Sequence, residues 1–402
     1  MRKRVVLLLL ACGLATAGSA WAFTPNDSDW TLKWPQGRVQ MSRAWDLTRG
    51  SKHVIVAVLD TGVNPHLRDL RGALVPGREF ISGGNTKVDH DGHGTLVSTI
   101  VAARGNNGTG VPGYCWSCRV MPVRIADGND FDGRIVAQGI RWAADHGAQI
   151  MSLSFSETPG SPSDPGVAAA IAYAAQKGVL VLTSSGNTGG TDYTYPAADP
   201  GAYPVAGTSK FDQLSSWTTR GSWIHLAAPG CQLALSYRGV GIEPCGSSVS
   251  APAVAGIAGL MLSVNPSLTA SQIVSILERT SKPVAGIAGG RVNAYAAIRA
   301  AAAQTVLSAG AKPVLLRRFL RGGWHLGLAV RGKRVAATLR LPQARSCSLS
   351  LESPDAVWLA NTRRRSAESL VARVSNGKYR LNVACKLRHP RLVSLTVRAY
   401  AQ

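Results

Sequence analysis

Residues 53–62 read HVIVAVLDTG, an apolar run from His53 to Leu59 that stops at Asp60. A short apolar run bounded by turn residues is typical of a buried strand. Helical patterns alternate with further apolar runs after it, QIMSLSFS from Gln149 and VLVLTSS from Val179. This alternation predicts an α/β domain with three layers around a mostly parallel sheet. Because active-site groups gather at the carboxyl ends of strands in such sheets, Asp60 is a candidate functional residue.

Three more polar residues occupy comparable positions. His93 lies in DGHGT, a loop that leads into a helical pattern, and Asn187 follows the second of the apolar runs. Ser248 begins a helix of small residues that reads AVAGIAGLMLSVNP after Pro252. Taken singly, these are ordinary turn, loop and helix-capping residues. Together with Asp60 they supply the hydroxyl, imidazole, carboxylate and amide donor that nucleophilic acyl transfer requires.

The N-terminus predicts export of a folded protein. The chain has 402 residues, 45% hydrophobic and 16% charged, which is an ordinary globular composition and is long enough for two domains. Met1–Ala22 combines a basic start, a short apolar stretch and a small-residue cleavage site, which are the marks of a signal peptide. We therefore expect a mature chain without a transmembrane segment that is secreted, periplasmic or bound at the cell surface.

The cysteines agree with an oxidising compartment. Six remain after the predicted cleavage, and proximity in sequence favours the pairs Cys115–Cys118, Cys231–Cys245 and Cys347–Cys385 among the possible connectivities. The CWSC sequence at 115–118 also fits a redox motif or half of a zinc site. No second CxxC sequence accompanies it.

The positive charge is concentrated in the C-terminal part of the chain. Residues 301–402 contain 19 Lys and Arg against 3 Asp and Glu, whereas residues 23–300 have a net charge of only +3. Short apolar runs separated by turn residues predict a small basic β-rich domain over 313–402, joined by a linker over 304–312 to a domain over 23–303. Its charge favours an anionic cell-surface polymer as partner rather than nucleic acid, although a soluble basic surface is the simpler interpretation.

Across residues 34–300 the chain resembles the subtilisin-like serine proteases, the subtilase family. The resemblance is carried by VAVLDTGV around Asp60, DGHGTLVSTIVAA around His93, SSGN ending at Asn187 and CGSSVSAPAVAGIAGL around Ser248. These blocks occur in that family's order of Asp, His and Ser. The resemblance implies a subtilisin-like fold and a secreted serine endopeptidase that acts on polypeptides through an acyl-enzyme.

The resemblance also implies individual roles. Ser248 would be the nucleophile, His93 the general base and acid, and Asp60 the group that orients the imidazole. Asn187 would donate its side-chain amide to the oxyanion. The family usually has Thr before the nucleophile, where this chain has Ser247. The chemistry itself needs no cofactor.

Two further sites follow from the same resemblance. Ser152, Leu153 and Ser154 would form an extended edge that pairs with the substrate backbone. Asp69, Asn106 and Asn107 match a structural calcium site of the family, for which oxygen ligands are suited. The glutamine that often completes that site is not evident near Lys33–Trp34, and a solvated turn is the alternative.

Two alternatives to a protease are a binding protein on a decayed scaffold and a thiol oxidoreductase that uses CWSC. The complete set of candidate residues argues against the first, and the missing thioredoxin-like context argues against the second. Only about a dozen residues separate Ala22 from the first family-like block, so no folding propeptide is predicted there. One hypothesis is that the basic C-terminal domain assists folding or targeting instead.

Overall fold

The computed structural model describes residues 23–81, 89–128, 130–157 and 160–303 with their side chains, and the backbone of nine strands between Val306 and Tyr400. The predicted signal peptide, Met1–Ala22, lies outside the described residues. The helices are α1 (Trp34–Arg38), α2 (Met41–Leu47), α3 (His93–Ala102), α4 (Gly133–Asp145), α5 (Pro165–Gln176), α6 (Ser247–Val264), α7 (Ala270–Thr280) and α8 (Ala294–Ala303), with a 3-10 turn at Arg68–Leu70.

The strands before α8 are short, and most belong to one sheet. They are β1 (Ile55–Asp60), β2 (Arg78–Glu79), β3 (Arg119–Arg124), β4 (Ile150–Leu153), β5 (Leu180–Ser184), β6 (Ala202–Thr208), β7 (Leu226–Pro229), β8 (Ala234–Leu235), β9 (Gly241–Ile242), β10 (Lys282–Pro283) and β11 (Gly290–Arg291). Strands β8 and β9 form a separate hairpin.

The nine-stranded sheet has the order β10-β11-β7-β6-β5-β4-β1-β3-β2. Every neighbouring pair is parallel except β10 and β11 at one edge. Strands β2 and β3, which follow β1 in the chain, lie on one side of it, and β4 lies on the other. The carboxyl end of β1 is therefore a topological switch point, where ligands bind in open α/β sheets. The predicted α/β class and mostly parallel sheet are confirmed.

The alternation of side chains along the strands builds the three layers. In β1, Val56 and Val58 belong to a core cluster shared with α2, α3, α6, α7 and α8. Ala57 and Leu59 belong to a second cluster, shared with α4 and α5 on the opposite face. Both faces of a central parallel strand are thus covered, which explains its continuous apolar sequence.

Helix α6 runs through the first of these clusters. By its length and its apolar composition α6 could span a membrane. However, 89% of it is buried inside the protein, which identifies it as a core helix. A Cβ on Gly259 would lie 2.8 Å from Cys118 Sγ. Its small residues therefore let α6 approach the segment that carries the Cys115–Cys118 disulfide.

Two of the three predicted disulfides are confirmed, Cys115–Cys118 and Cys231–Cys245. Cys115 and Cys118 are buried at 0% and 1% exposure, so the redox and zinc alternatives are not favoured. Cys347 and Cys385 are direct partners across two antiparallel strands. Their side chains lie outside the described residues, and the third disulfide stays a prediction.

The C-terminal strands form two sheets, with the orders β12-β14-β19-β16-β17 and β13-β20-β15-β18. Their bounds are β12 (Val306–Ser308), β13 (Val314–Leu320), β14 (Trp324–Arg331), β15 (Arg334–Arg340), β16 (Ser346–Glu352), β17 (Val357–Ala360), β18 (Ala367–Arg373), β19 (Gly377–Lys386) and β20 (Arg391–Tyr400). All pairs are antiparallel except β12 with β14. Strand β12 occupies part of the segment predicted as a linker.

Candidate active site

The carboxylate of Asp60 and the imidazole of His93 form the centre of the site. Asp60 ends β1 and is 1% exposed, and His93 begins α3. His93 Nδ1 lies 2.9 and 3.0 Å from the two carboxylate oxygens of Asp60. A carboxylate can only accept at Nδ1, so this contact assigns the proton to Nδ1 and leaves Nε2 free to accept in the neutral ring.

Asp89 fastens the loop that carries His93. Its oxygens accept from the hydroxyl of Thr61 at 2.7 Å, from Gly92 N at 2.8 Å, and from Thr95 N and Oγ1 at 2.7 and 2.5 Å. Asp89 is 1% exposed. Because it binds both the residue after Asp60 and the first turn of α3, it sets the separation of Asp60 from His93. The sequence analysis did not identify it, because it stands two residues before the motif that begins at Asp91.

The surrounding carboxylates raise the pKa of His93 to about 9. The main cause is the attraction of the imidazolium by Asp60, against which burial acts in the opposite direction, and Asp91 and Asp89 add to the rise. A negative charge near the ring stabilises its protonated form. The neutral imidazole is therefore the major form only in alkaline solution.

Ser248 and Asn187 come together at Gly246. A Cβ on Gly246 would lie 3.1 Å from Ser248 Oγ and 3.4 Å from Asn187 Nδ2, and the φ of this residue is +156°. Glycine therefore leaves open the space that the two polar atoms share. Ser248 is the second residue of α6, so its backbone N–H is among those without an intrahelical acceptor. The hydroxyl of Ser248, the side-chain amide of Asn187 and the backbone N–H of Ser248 therefore border the same small space beside Gly246.

Ser247 fixes the orientation of the Asn187 amide. Its backbone N and its Oγ both donate to Asn187 Oδ1 at 2.8 Å, and its Oγ accepts from Gly186 N at 3.2 Å. With Oδ1 occupied in this way, Nδ2 is directed to the open side. Ser247 is completely buried, so it connects the end of β5 to the start of α6.

His93 and Ser248 share no hydrogen bond in the described part of the chain. Contacts between a nucleophile and its base are often long in ligand-free proteins and tighten only when substrate binds. Helices α3 and α6, which carry the two residues, pack directly against each other. The structure thus brings Asp60 to His93 and Ser248 to Asn187, at the first turns of two helices that pack against each other.

The predicted edge over Ser152–Ser154 is corrected by the sheet. Ser152 and Leu153 lie inside β4, which has β1 on one side and β5 on the other. Both are 0% exposed, and Leu153 packs in the second core cluster. Residues of a central strand cannot form an edge, because neighbouring strands already flank them. Only Ser154, the first residue beyond β4, leaves its backbone past the sheet.

The predicted calcium ligands Asp69, Asn106 and Asn107 lie around one loop, but they play different parts. Asn107 Nδ2 donates to Asp69 Oδ1 at 2.8 Å, and Val111 N donates to Asp69 Oδ2 at 3.0 Å. Asn106 takes part through its backbone N, which donates at 2.7 Å to Asp27 Oδ2. Asp27 thus brings a carboxylate from the N-terminal segment to this loop, a residue that the sequence analysis did not single out.

The chemistry of this loop suits a cation. Asp27 Oδ1 is buried and has no hydrogen-bond partner in the described structure. Burial, together with the charge of Asp69, raises the pKa of Asp27, and burial also raises the pKa of Asp69. Two buried carboxylates that repel each other would be stabilised by a divalent ion, and Ca²⁺ prefers such oxygen ligands.

Comparisons with known proteins agree on one family. The model of the Subtilase family matches residues 51–309. Thermitase of Thermoactinomyces vulgaris is 38% identical over 268 residues, 65% of this chain and 93% of that protein. Subtilisin BL of Lederbergia lenta is 34% identical over 256 residues, 62% of this chain and 91% of that protein. The solved structure of a protease from Pseudoalteromonas arctica superposes with a TM-score of 0.63 and 29% identity, covering 69% of this chain and 99% of that one.

The raised pKa of His93 can be tested by NMR titration of its imidazole in the Ser248→Ala protein. We expect a midpoint near the value of about 9 given by its surroundings. Asp91→Asn should lower it, because removing a negative charge destabilises the imidazolium. Asp145→Asn, on α4, serves as the control for loss of a distant carboxylate. A midpoint near that of free histidine, or one that Asp91→Asn leaves in place, would contradict this account.

Proposed function

The chain belongs to the subtilase family of serine endopeptidases, and from that premise we propose that Asp60, His93 and Ser248 are its catalytic triad. The observation that carries this proposal is the contact of both carboxylate oxygens of buried Asp60 with His93 Nδ1. The proposed reaction is hydrolysis of polypeptides through an acyl-enzyme.

Each residue has a defined part in this mechanism. Ser248 Oγ attacks the carbonyl carbon of the scissile bond while His93 Nε2 takes its proton, and His93 then passes that proton to the leaving amine. Asp60 holds the Nδ1–H tautomer and stabilises the imidazolium. Because only the neutral ring accepts a proton, the rate should rise with pH as His93, whose pKa is raised to about 9, loses its charge. We infer an alkaline enzyme.

The oxyanion of the tetrahedral intermediate would lie between Asn187 Nδ2 and the backbone N–H of Ser248. Ser247 holds Oδ1 of the same amide, so the donor is oriented before substrate arrives. A donor that is already in place needs no reorganisation during the reaction, which is why such groups contribute strongly to catalysis. The backbone of Ser154 is the proposed contact for the substrate chain on the acyl side.

A calcium ion is proposed at Asp27 and Asp69, where Asp27 Oδ1 has no hydrogen-bond partner in the described structure. The ion would stabilise the fold and take no part in the chemistry. Asp27 belongs to the N-terminal segment, where Asn26 Oδ1 also accepts from Gly108 N and Asp29 N donates to Gly110 O. Calcium would therefore join this segment to the 106–111 loop.

Export and domain organisation are part of the proposal. The signal-like residues Met1–Ala22 and the two disulfides of the described structure support a location outside the cytoplasm. We propose a peptidase domain over 23–303 and a basic β-rich domain over 313–402. The 19 Lys and Arg against 3 acids in residues 301–402 support attachment to an anionic cell-surface polymer.

The triad can be tested with the purified mature protein. We expect it to cleave unstructured casein and to react with a fluorophosphonate probe, and Ser248→Ala to lose both. The loss of turnover should approach the roughly 10⁶-fold value that is measured for the nucleophile of subtilisin, a relative. Folded wild-type protein that neither labels nor cleaves, with and without calcium, would contradict the proposal and favour a binding protein.

Ser247 is predicted to act through Asn187. Ser247→Ala should lower kcat roughly tenfold with little change in KM, because loss of a hydrogen bond of about 1–1.5 kcal/mol loosens the oxyanion donor. Ser247→Thr keeps the hydroxyl and should retain activity. Asn187→Ala removes the donor itself and should cost more, about 2.7–4 kcal/mol as in subtilisin. Equal kcat values for wild type and Ser247→Ala would refute this role.

Calcium dependence is predicted from the buried pair Asp27 and Asp69. Removing calcium with a chelator should lower the midpoint of thermal unfolding by roughly 5–10 °C, as expected for an ion present at about 100 times its Kd. Without calcium, stability should fall as pH rises through the raised pKa values, since the folded state favours the protonated acids. Asp27→Asn should abolish the calcium effect and Asp192→Asn should not. Equal midpoints with and without calcium would rule the site out.

A further inference from the structure

A cleft of about 770 Å³ lies at the edge of the sheet formed by β10 and β11. Its lining includes Trp34, Gly37 and Pro283, and the other lining residues are polar or charged. The volume is that of a site for a ligand of substantial size rather than a single small ion. None of the residues placed in the candidate active site contributes to it.

Three cations surround a single carboxylate in this cleft. Asp212 Oδ1 accepts from Arg291 Nε at 2.5 Å, and Asp212 Oδ2 lies 2.7 Å from Lys282 Nζ. Arg38 Nη1 is 3.6 Å from the same Oδ2. These three cations and Asp212 therefore have a net charge of +2 together, whereas residues 23–300 as a whole have a net charge of only +3.

The cations differ in how firmly they are held. Arg291 is buried, and its Nη1 also donates to the backbone oxygens of Arg38 and Val292, so it belongs to the fold. The side chains of Arg38 and Lys282 are 43% and 57% exposed. These two can turn toward a ligand while Asp212 keeps Arg291 as its partner.

We propose that this cleft is an exosite that binds acidic segments of polypeptide substrates. The inference rests on the proposed function, since the ligand is the substrate of that enzyme. Carboxylates of Asp and Glu side chains would pair with Arg38 and Lys282, and apolar parts of the segment would lie against Trp34 and Pro283. Complementary charge of this kind raises the rate of encounter and selects partners.

The position of the cleft determines which substrates can use it. Strand β11 is five positions from β1 in the sheet order, or about 24 Å at 4.8 Å per strand. An extended chain spans at most about 3.3–3.6 Å per residue, so at least about seven residues must separate the acidic segment from the scissile bond. Short peptides cannot occupy both sites.

The test compares matched peptide substrates. All have the same cleavable segment, and a run of four residues, either Glu or Gln, is placed ten residues from the scissile bond on one side or the other. For one of the two placements, we expect wild-type protein at low salt to cleave the Glu version with a kcat/KM roughly fivefold higher than the Gln version. The difference should come from a lower KM. A roughly fivefold change is the size of effect that two exposed ion pairs supply. The preference should disappear in 1 M salt, where screening is nearly complete.

Arg38→Gln/Lys282→Gln should remove the preference and leave the cleavage of the short segment unchanged. Arg134→Gln/Lys177→Gln is the matched control, because it removes one exposed Arg and one exposed Lys from α4 and the residue after α5. It should keep the preference. A wild-type enzyme that cleaves the Glu and Gln substrates equally would overturn the exosite, whereas one that cleaves nothing would overturn the proposed function.

Binding can be measured separately from activity. A labelled acidic peptide without the cleavable segment should bind the Ser248→Ala protein by fluorescence anisotropy, and inorganic phosphate at matched ionic strength should compete only weakly. Arg38→Gln/Lys282→Gln in the same background should bind at least about fivefold more weakly. Equal affinity of the two proteins for the peptide, or displacement by phosphate at low millimolar concentration, would overturn an acidic-peptide site.

Discussion

The close packing of α6 inside the domain is the constraint on which the rest of the site depends. An 18-residue helix of small side chains lies against the parallel sheet on one side and against α3 and α8 on the other. Gly259 approaches the sulfur of Cys118, so even one added carbon would disturb the contact. Since interiors are packed as densely as organic crystals, this helix has little freedom to shift. The position at which Ser248 emerges is therefore set by the core.

Buried polar groups then transfer that rigidity to the reactive side chains. Asp89 ties the loop of His93 to the end of β1, and Ser247 ties the amide of Asn187 to the start of α6. Both are buried, where a satisfied polar network resists rearrangement because each lost hydrogen bond leaves an unpaired group. The carboxylates of Asp60 and Asp89, which help to fix the position of His93, also raise the pKa of its imidazole.

In the outer parts of the domain, charged groups add to the apolar packing. The N-terminal segment is attached to the 106–111 loop by Asp27 and its neighbours, and the opposite sheet edge is attached to α1 by Arg291, which bonds to Asp212 and to the backbone of Arg38. Each of these clusters has a charge imbalance, negative at Asp27 and Asp69 and positive at Asp212. Such an imbalance is relieved by a ligand of opposite sign, which is why a cation and an acidic peptide are the proposed occupants.

The parallel α/β architecture, the two local disulfides and the four candidate residues could be predicted from the sequence, because each depends on a short pattern: an apolar run, close cysteines, or a motif around Asp60, His93, Asn187 and Ser248. The tertiary structure was needed to place Ser152 and Leu153 inside a central strand, to assign Asp89 and Ser247 their partners, and to bring Asp27 to the 106–111 loop. The same holds for the basic cleft, where Arg38 and Arg291 are bonded across 253 positions. Contacts between residues so far apart follow from how the layers pack, and no local pattern in the chain records them.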